Sequence, residues 1–363
     1  MIEPREEPLH GHGADQESVL SRSLDGPRRA ALAVFAERAS PSRHDQAIDW
    51  IHGQPAKKVV QALADDQVDQ LFLHRAQTGG LATRLPAKVI ELLTARRMSV
   101  AVGIMRQEHM LGQATALLDE MGADYVVFKG ALVRQMLYAK PYLRPSADVD
   151  LLVAADMAPR VARTFEQRGY AVAAAAHSDT HEVWIERQGV GLDLHWRLMR
   201  HGRMRQDLTA EILANRVRRG NLWGPSDTHL TVMMLVHPAI TDHVTGRLIS
   251  AVDLDLWLRS QEIPWPSVIE ILDRIGLKTA AWAMLTWTCA ILGTPVPAEV
   301  MRALSPSPLR QRYLQSWLRH HPAALYWRQP WLVRGAFSLA LQDRATDAVR
   351  ALWMLAKKER LVL

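Results

Sequence analysis

The first third of the chain has apolar residues at the spacing of helices. Over residues 20–76 the apolar positions recur every three or four residues, until a pair of glycines interrupts the pattern. After Pro86 the same spacing resumes and continues to Met121, which predicts one long helix or two helices in line. Residues 1–18 lack this spacing and combine charged residues with proline and glycine, so we expect them to form a mobile tail.

The middle of the chain changes to short runs that predict strands. Tyr125–Phe128 is an apolar run too short for a helix, and Asp148–Val153 is a second strand candidate. Three further strand-like segments follow, around residues 170–175, 181–186 and 190–196. Helical stretches separate the first three candidates, so the predicted order is strand, helix, strand, helix and then strands.

After about Trp223 the helical spacing returns and continues almost to the carboxyl end. The pattern as a whole predicts an α+β protein that is mostly helical. Its predicted divisions are an N-terminal helical region at 19–121, a core with a small sheet at 122–223, and a C-terminal helical domain at 224–363.

Composition narrows the class of protein. Hydrophobic residues make up 48% of the 363 residues and charged residues 23%, the balance of an ordinary globular protein. The net charge of +6 comes from scattered basic residues, which favours a phosphate-bearing partner only weakly. The amino terminus has no apolar signal segment and no apolar run approaches the length of a membrane span, so we expect a cytoplasmic protein without a membrane partner.

The strand candidates carry carboxylates at the spacing that places them on one face. Side chains alternate along a strand, so Asp148 and Asp150 point the same way, and Asp193 points the same way as His195. If the two strands pair, Asp193 joins the first two carboxylates. Three carboxylates suit two Mg²⁺ ions, which prefer oxygen ligands and serve in-line phosphoryl or nucleotidyl transfer. His195 has two interpretations: it assists deprotonation of an acceptor, or it orients a neighbouring acid.

The turn after the first strand is suited to binding phosphate. Gly130 lets the backbone approach a phosphate, and the free amides at the start of the following helix, which includes Ala131, attract it. Lys129 and Arg144 flank this turn and can supply positive charge to the β- and γ-phosphates. The sequence therefore predicts a triphosphate site beside the carboxylates.

These segments also carry a resemblance. VVFKGALVRQMLY, RPSADVDLLV and GLDLHWRL are similar to the glycine-containing turn, the Asp-x-Asp strand and the third-aspartate strand of the DNA polymerase beta superfamily of nucleotidyltransferases. The residues of these segments resemble, more narrowly, those of an uncharacterised bacterial group of nucleotidyltransferase family proteins. The likeness covers about residues 92–258, and it departs from the usual pattern at Ala131, where the superfamily has serine.

The resemblance implies a small mixed sheet with flanking helices and an enzyme that uses a nucleoside triphosphate with Mg²⁺, or Mn²⁺ in its place. Such an enzyme transfers a nucleoside monophosphate to an acceptor hydroxyl. The resemblance does not specify the acceptor, which is a small molecule, a peptide or protein, or RNA. Two alternatives stand beside this function: a catalytically inactive module that binds or senses nucleotide, and a toxin-like tRNA nucleotidyltransferase.

Two other groups of residues have the spacing of metal-binding motifs, but we predict that both are structural. Asp253 and Asp255 repeat the Asp-x-Asp spacing, but their apolar neighbours have helical spacing, and helix positions two apart do not share a face. His237 and His243 flank Pro238, so we expect them to cap or to form core hydrogen bonds rather than to bind a metal.

Overall fold

The computed structural model describes residues 24, 26–35, 41–173, 181–320 and 331–359, so the predicted tail at 1–18 lies outside the described residues. Within these residues five α-helices precede the sheet, and each buries apolar positions along one side. The five helices are α1 Gly26–Phe35, α2 Pro41–His52, α3 Ala56–Asp65, α4 Asp69–Thr78 and α5 Ala87–Glu120. Not every position of the apolar spacing is buried, since Met98, Val102 and Met105 of α5 are exposed.

The long helix is continuous. α5 has 34 residues and starts directly after Pro86, whose fixed φ suits the residue before a helix. It ends before Gly122, which has a φ of 63° and therefore turns the chain in a conformation that favours glycine. This turn leads the chain into the sheet, as the prediction of one long helix followed by a strand requires.

The sheet has five strands in the order β1-β2-β5-β4-β3. All pairs are antiparallel except β2 with β5, so the sheet is mixed. Two helices alternate with the first strands, and the elements in chain order are β1 Tyr125–Phe128, α6 Lys129–Leu137, β2 Asp148–Val153, α7 Ala158–Gln167, β3 Ala171–Val172, β4 Glu182–Arg187 and β5 Val190–His195. β1 is buried along its whole length, which explains its continuous apolar sequence.

The sequence prediction missed three elements between the sheet and the C-terminal helices. A short helix and a two-stranded hairpin occupy this stretch, as α8 Thr209–Ala214, β6 Val217–Arg219 and β7 Leu222–Gly224. The strands of the hairpin are only three residues long, and β6 is mostly exposed, so no apolar alternation marked them.

The rest of the described chain is helical. The helices are α9 Asp227–Thr241, α10 Leu248–Ser260, α11 Trp265–Ile275, α12 Lys278–Leu292, α13 Ala298–Leu304, α14 Pro308–His320, α15 Trp331–Ala340 and α16 Ala345–Glu359. Ser226 caps α9, since its side chain accepts a hydrogen bond from the backbone N–H of His229. Trp257 of α10 is fully buried and donates to Thr231 Oγ1 of α9 at 2.9 Å, which ties these two helices together.

The prediction of a mostly helical α+β fold with a small mixed sheet is confirmed. The domain boundaries proposed from the sequence stay a prediction. Among the described helices, none is both long enough and apolar enough to span a membrane.

Candidate active site

Two neighbouring strands place carboxylates side by side. β2 and β5 are parallel, and their register pairs Asp150 with Asp193. The ligand atoms of Asp150, Asp193 and His195 lie within 4.8 Å of one another. The expected pairing of the two strands is therefore present, and it brings these three side chains into one compact cluster.

Asp148 stands at the edge of this cluster. It is the first residue of β2, is partly exposed, and lines a cavity with a volume of about 230 Å³. Its carboxylate lies outside the group of ligand atoms formed by Asp150, Asp193 and His195. Asp148 and Asp150 line the cavity, whereas Asp193 lies next to Asp150 outside the cavity wall.

Two donors hold Asp150 in place. Lys129 Nζ donates to Asp150 Oδ1 at 2.7 Å, and His195 Nε2 lies 3.0 Å from the same oxygen. Asp150 is 2% exposed and His195 is 1% exposed, so both contacts are shielded from solvent. Lys129 has a φ of 51°, a left-handed conformation that costs free energy for a residue with a Cβ. It adopts this conformation at the junction of β1 with α6, where its ammonium group reaches Asp150.

The position of His195 helps to decide whether this residue deprotonates an acceptor or orients a neighbouring acid. The ring is buried, contacts Asp150 through Nε2, and is absent from the cavity wall. An acceptor in the cavity would meet Asp150 before it met this ring. The geometry therefore favours the orienting interpretation over direct deprotonation of an acceptor.

The charges of the cluster are unbalanced. Burial, followed by repulsion from Asp150 and Glu182, raises the pKa of Asp193 to about 7. Burial and repulsion from Asp150 also raise the pKa of Asp148 above its ordinary value, although Lys129 and Arg247 oppose this. Burial acts on Asp150 in the same direction, but Lys129 and His195 outweigh it and hold the pKa of Asp150 well below its ordinary value. Lys129, and Arg247 in the case of Asp148, offset the repulsion between the carboxylates only in part, so an additional cation would relieve it.

The space beside Gly130 is filled by protein. A Cβ at Gly130 would lie 2.6 Å from Arg144 Nη1 and 2.8 Å from the Cβ of Ser146. The absence of a side chain at Gly130 therefore allows the loop before β2 to pack against α6. The sequence alone instead predicts glycine here so that a phosphate can approach the backbone. Ala131 is fully buried and does not line the cavity, so its methyl group belongs to the core.

Arg144 lines the cavity wall but is held by an ion pair. Its Nη2 donates to Asp253 Oδ2 at 2.7 Å, its Nε donates to the same oxygen at 3.1 Å, and its Nη1 donates to the carbonyl of Pro145. Tyr138 O–H donates to Asp253 Oδ1 at 2.7 Å. This arrangement connects the loop before β2 to helix α10, and the guanidinium predicted for a triphosphate is engaged by protein.

The prediction that Asp253 belongs to a helix is correct, but its contact with Arg144 was missed. Ile249, Asp253 and Trp257 follow one another at a spacing of four residues on α10, and all three are buried. A charged residue within such an apolar stripe is the signal of a buried ion pair. The expected core contact of His243 is present, since its Nε2 lies 3.0 Å from Ser338 Oγ.

Helices α9 and α10 supply the opposite wall of the cavity. The lining residues that the sequence analysis did not propose include Met233, Met234, His237, Asp242 and Arg247. Arg247 directly precedes α10, is exposed at the cavity rim, and exerts an electrostatic attraction on Asp148. No local motif marked these residues, because they meet the residues of the strands only around the cavity, where α10 packs against α6.

The distant matches among solved structures include two structures of the antibiotic-resistance factor ANT(2'')-Ia. Its solution structure has 14% sequence identity and a TM-score of 0.35, and the match covers 47% of this chain and 90% of that chain. A crystal structure of ANT(2'')-Ia in complex with adenylyl-2''-tobramycin has 14% identity and a TM-score of 0.33, with 43% and 89% covered. Similarity at this level does not support an inference about substrates.

No curated protein matches the sequence. A family model described as uncharacterised nucleotidyltransferase matches residues 52–293, which is more than half of the chain and includes every candidate site residue. The chain therefore belongs to this family of uncharacterised nucleotidyltransferases, as the resemblance of its strand segments indicated.

Proposed function

We propose that the protein is a Mg²⁺-dependent nucleotidyltransferase that transfers a nucleoside monophosphate from a nucleoside triphosphate to an acceptor hydroxyl. Asp148, Asp150 and Asp193 hold the metal in this proposal, and Mn²⁺ is the alternative ion. The observation that carries it is the parallel register of β2 and β5, which sets Asp150 beside Asp193 at the edge of the cavity.

The donor set fits a hard divalent cation. The three aspartates offer oxygen ligands, and repulsion between carboxylates contributes to raising the pKa of Asp193 and of Asp148. A bound Mg²⁺ supplies charge neutralisation on phosphate oxygens and a lowered pKa for a coordinated hydroxyl group. Lys129 and His195 keep the Asp150 carboxylate ionised and fixed in orientation, so that it is ready to bind a cation.

Triphosphate binding is assigned to the cations nearest the cavity. Lys129 and Arg247 both line the cavity, and both attract the Asp148 carboxylate electrostatically. The backbone amides that begin α6, at Gly130 and Ala131, add the partial positive charge of a helix start. Arg144 acts in this proposal as a positioning residue, because its ion pair with Asp253 fixes the loop against which Gly130 packs.

The transfer itself needs no nucleophilic side chain. The acceptor oxygen forms a bond to the α-phosphorus, the bond from this phosphorus to the bridging oxygen breaks, and pyrophosphate leaves with the electron pair. The hydroxyl proton passes to solvent or to a carboxylate of the cluster. Helices α9 and α10, whose side chains Met233, Met234 and His237 line the cavity, shape the space for the base or the acceptor.

Calorimetric titration tests the proposal. The full-length protein is titrated with ATP, GTP, CTP and UTP, each with and without Mg²⁺, and the same titrations are repeated with Asp148→Asn. The matched control is Asp156→Asn, which changes an exposed aspartate just after β2. We expect Mg²⁺-dependent binding of at least one triphosphate, loss of that binding in Asp148→Asn, and no change in Asp156→Asn.

The other outcomes identify the alternatives. Binding of a triphosphate without transfer to any acceptor would favour the inactive sensing module. Binding of RNA that weakens steeply with salt would favour a tRNA acceptor, since neutralised phosphates release counterions. Absence of any triphosphate binding by the wild-type protein would overturn the proposal.

A further inference from the structure

A second group of ligand atoms lies on the Nδ1 side of the His195 ring, away from Asp150. Glu182, the first residue of β4, pairs with His195 across the antiparallel strands β4 and β5. Glu182 Oε2 lies 3.1 Å from His195 Nδ1 and 3.2 Å from His181 Nε2. Ligand atoms of His181, Glu182 and His195 are all within 4.8 Å of one another.

His195 Nδ1 is buried without a hydrogen bond. The ring is 1% exposed, and Nδ1 finds no hydrogen-bond partner in the part of the chain that the structure describes, although Glu182 is close. A buried polar atom left unsatisfied costs on the order of 1–3 kcal/mol, so native proteins rarely retain one without a reason. The atom points into the group formed with His181 and Glu182, and a metal ion there would satisfy it.

The donor set differs from that of the aspartates. Two imidazole nitrogens and one carboxylate suit Zn²⁺ and its neighbours in the first transition row, whereas Mg²⁺ prefers oxygen ligands only. Metal bonds of about 2.0–2.2 Å place neighbouring ligand atoms about 3–3.5 Å apart. The two distances to Glu182 Oε2 fall in this range.

The contact of His195 with Asp150 completes a pattern known for metal-bound imidazoles. A histidine that binds a metal through one nitrogen almost always donates the other N–H to a carboxylate or a carbonyl. Here Nε2 lies 3.0 Å from Asp150 Oδ1. We propose that His181, Glu182 and His195 form a binding site for a transition-metal ion of the Zn²⁺ type, separate in its ligands from the aspartate site.

Such an ion would act on the aspartate site through His195. Coordination at Nδ1 fixes the tautomer with hydrogen on Nε2, so His195 always donates to Asp150 and holds its carboxylate in one orientation. The alternative arrangement is an imidazolium ion that bridges Glu182 and Asp150 without any metal. That arrangement requires a hydrogen bond from Nδ1 to Glu182, which the geometry lacks.

Zinc titration of the full-length protein tests the site. His10 and His12 are close in sequence and could bind zinc themselves, so the background for all variants carries His10→Ala and His12→Ala. The chelator-treated protein is titrated with Zn²⁺ by calorimetry in excess Mg²⁺ and without nucleotide. Co²⁺ is then added in place of Zn²⁺, and its visible absorption reports nitrogen ligands. We expect one equivalent to bind, with an affinity that falls at least about 10-fold in His181→Ala.

Three further variants make the result specific. Glu182→Gln is a second change at the site and decides the question if His181→Ala does not fold. His109→Ala removes an exposed histidine elsewhere and should leave zinc binding unchanged. Asp193→Asn should retain zinc binding while it loses Mg²⁺-dependent triphosphate binding, which separates this proposal from the proposed function.

The inference is overturned if the protein on this background binds no stoichiometric Zn²⁺, which is the result expected from the metal-free imidazolium bridge. It is also overturned if folded His181→Ala and Glu182→Gln both bind Zn²⁺ as tightly as their parent. A failure of triphosphate binding with intact zinc binding would count against the proposed function alone.

Discussion

Two buried ion pairs meet at the start of α6, and they differ in how completely their charges are balanced. Arg144 donates three hydrogen bonds to Asp253, and Tyr138 donates one more to Oδ1 of the same carboxylate. Lys129 and Asp150 form the other pair, but Asp193, Asp148 and Glu182 add negative charge that this single lysine does not balance.

The difference indicates what each pair does. A balanced pair that links a loop to a helix holds elements of the fold together, and removing one partner leaves the other charge buried. A cluster with excess negative charge is stabilised when a cation binds, so it is suited to holding a metal ion. The comparison predicts that changes at the first pair alter stability, while changes at the second alter metal and nucleotide binding.

The largest effect is expected for Asp193→Asn. The change removes a proposed metal ligand, and a loss of about 4 kcal/mol of transition-state stabilisation corresponds to a rate about 1000-fold lower. The rate is followed as pyrophosphate release from the triphosphate that binds. Stability should stay the same or rise by on the order of 1 kcal/mol, because a repelling carboxylate is removed and the group is part-exposed.

A folded Asp193→Asn protein that releases pyrophosphate at the wild-type rate would contradict the assignment of this residue. Asp156→Asn is again the control, since it changes an aspartate that is exposed to solvent.

The next effect is on stability. Asp253→Ala leaves the Arg144 guanidinium and the Tyr138 hydroxyl without their partner in a buried environment, so the free energy of unfolding should fall by about 3–5 kcal/mol. Urea denaturation measures this change. The control is Asp45→Asn, which breaks an exposed pair with Arg84 and should cost less than about 1 kcal/mol.

A double change sharpens the same comparison. Arg144→Met with Asp253→Leu replaces the pair by apolar groups and should recover most of the lost stability. If triphosphate affinity also stays at the wild-type value, Arg144 only positions the loop. A large loss of affinity in this stable variant would instead assign Arg144 to direct phosphate binding.

The stability of the fold should depend on pH because of Asp193. Its pKa in the folded protein is about 7, against an ordinary value of 3.8. The folded state therefore binds more protons than the unfolded state between these values, so stability falls as pH rises through this window and levels off above it. At the proposed site Mg²⁺ must displace this proton below pH 7, so its stabilising effect should be larger at about pH 8 than at about pH 5.

Thermal unfolding with and without Mg²⁺ at the two pH values measures this effect, and Asp193→Asn should remove most of the pH dependence. An equal rise in Tm at both pH values would show that protonation of Asp193 does not compete with the metal.

The smallest effect is expected for Arg247→Ala. Arg247 is exposed at the cavity rim, so the change should leave stability unaltered and lower triphosphate affinity about 10-fold through one lost phosphate contact. Calorimetry measures the affinity, and Arg302→Ala serves as the control because Arg302 is exposed on α13. Equal affinity in the two variants would remove Arg247 from the triphosphate site.

The helices and strands were largely readable from the chain because their apolar positions follow the periods of the elements. The hairpin of β6 and β7 was missed since strands of three residues carry too few positions to show a period. The alternation along β2 and β5 also predicted which side chains share a face, including Asp150, Asp193 and His195. The sequence did not show that the two strands pair with each other, and the structure supplies this pairing.

The sequence by itself determined the identity and facing of the carboxylates, because strand period and chemistry are both local properties. Tertiary structure alone decided that Arg144 is engaged by Asp253, that Gly130 packs against Ser146, and that Asp148 lies apart from the other ligand atoms. These contacts join residues separated by 16 to more than 100 positions along the chain, a distance over which no local pattern carries information. The packing of the C-terminal helices sets the contact of Arg144 with Asp253 and, because α9 and α10 line the cavity, the shape of the cavity as well.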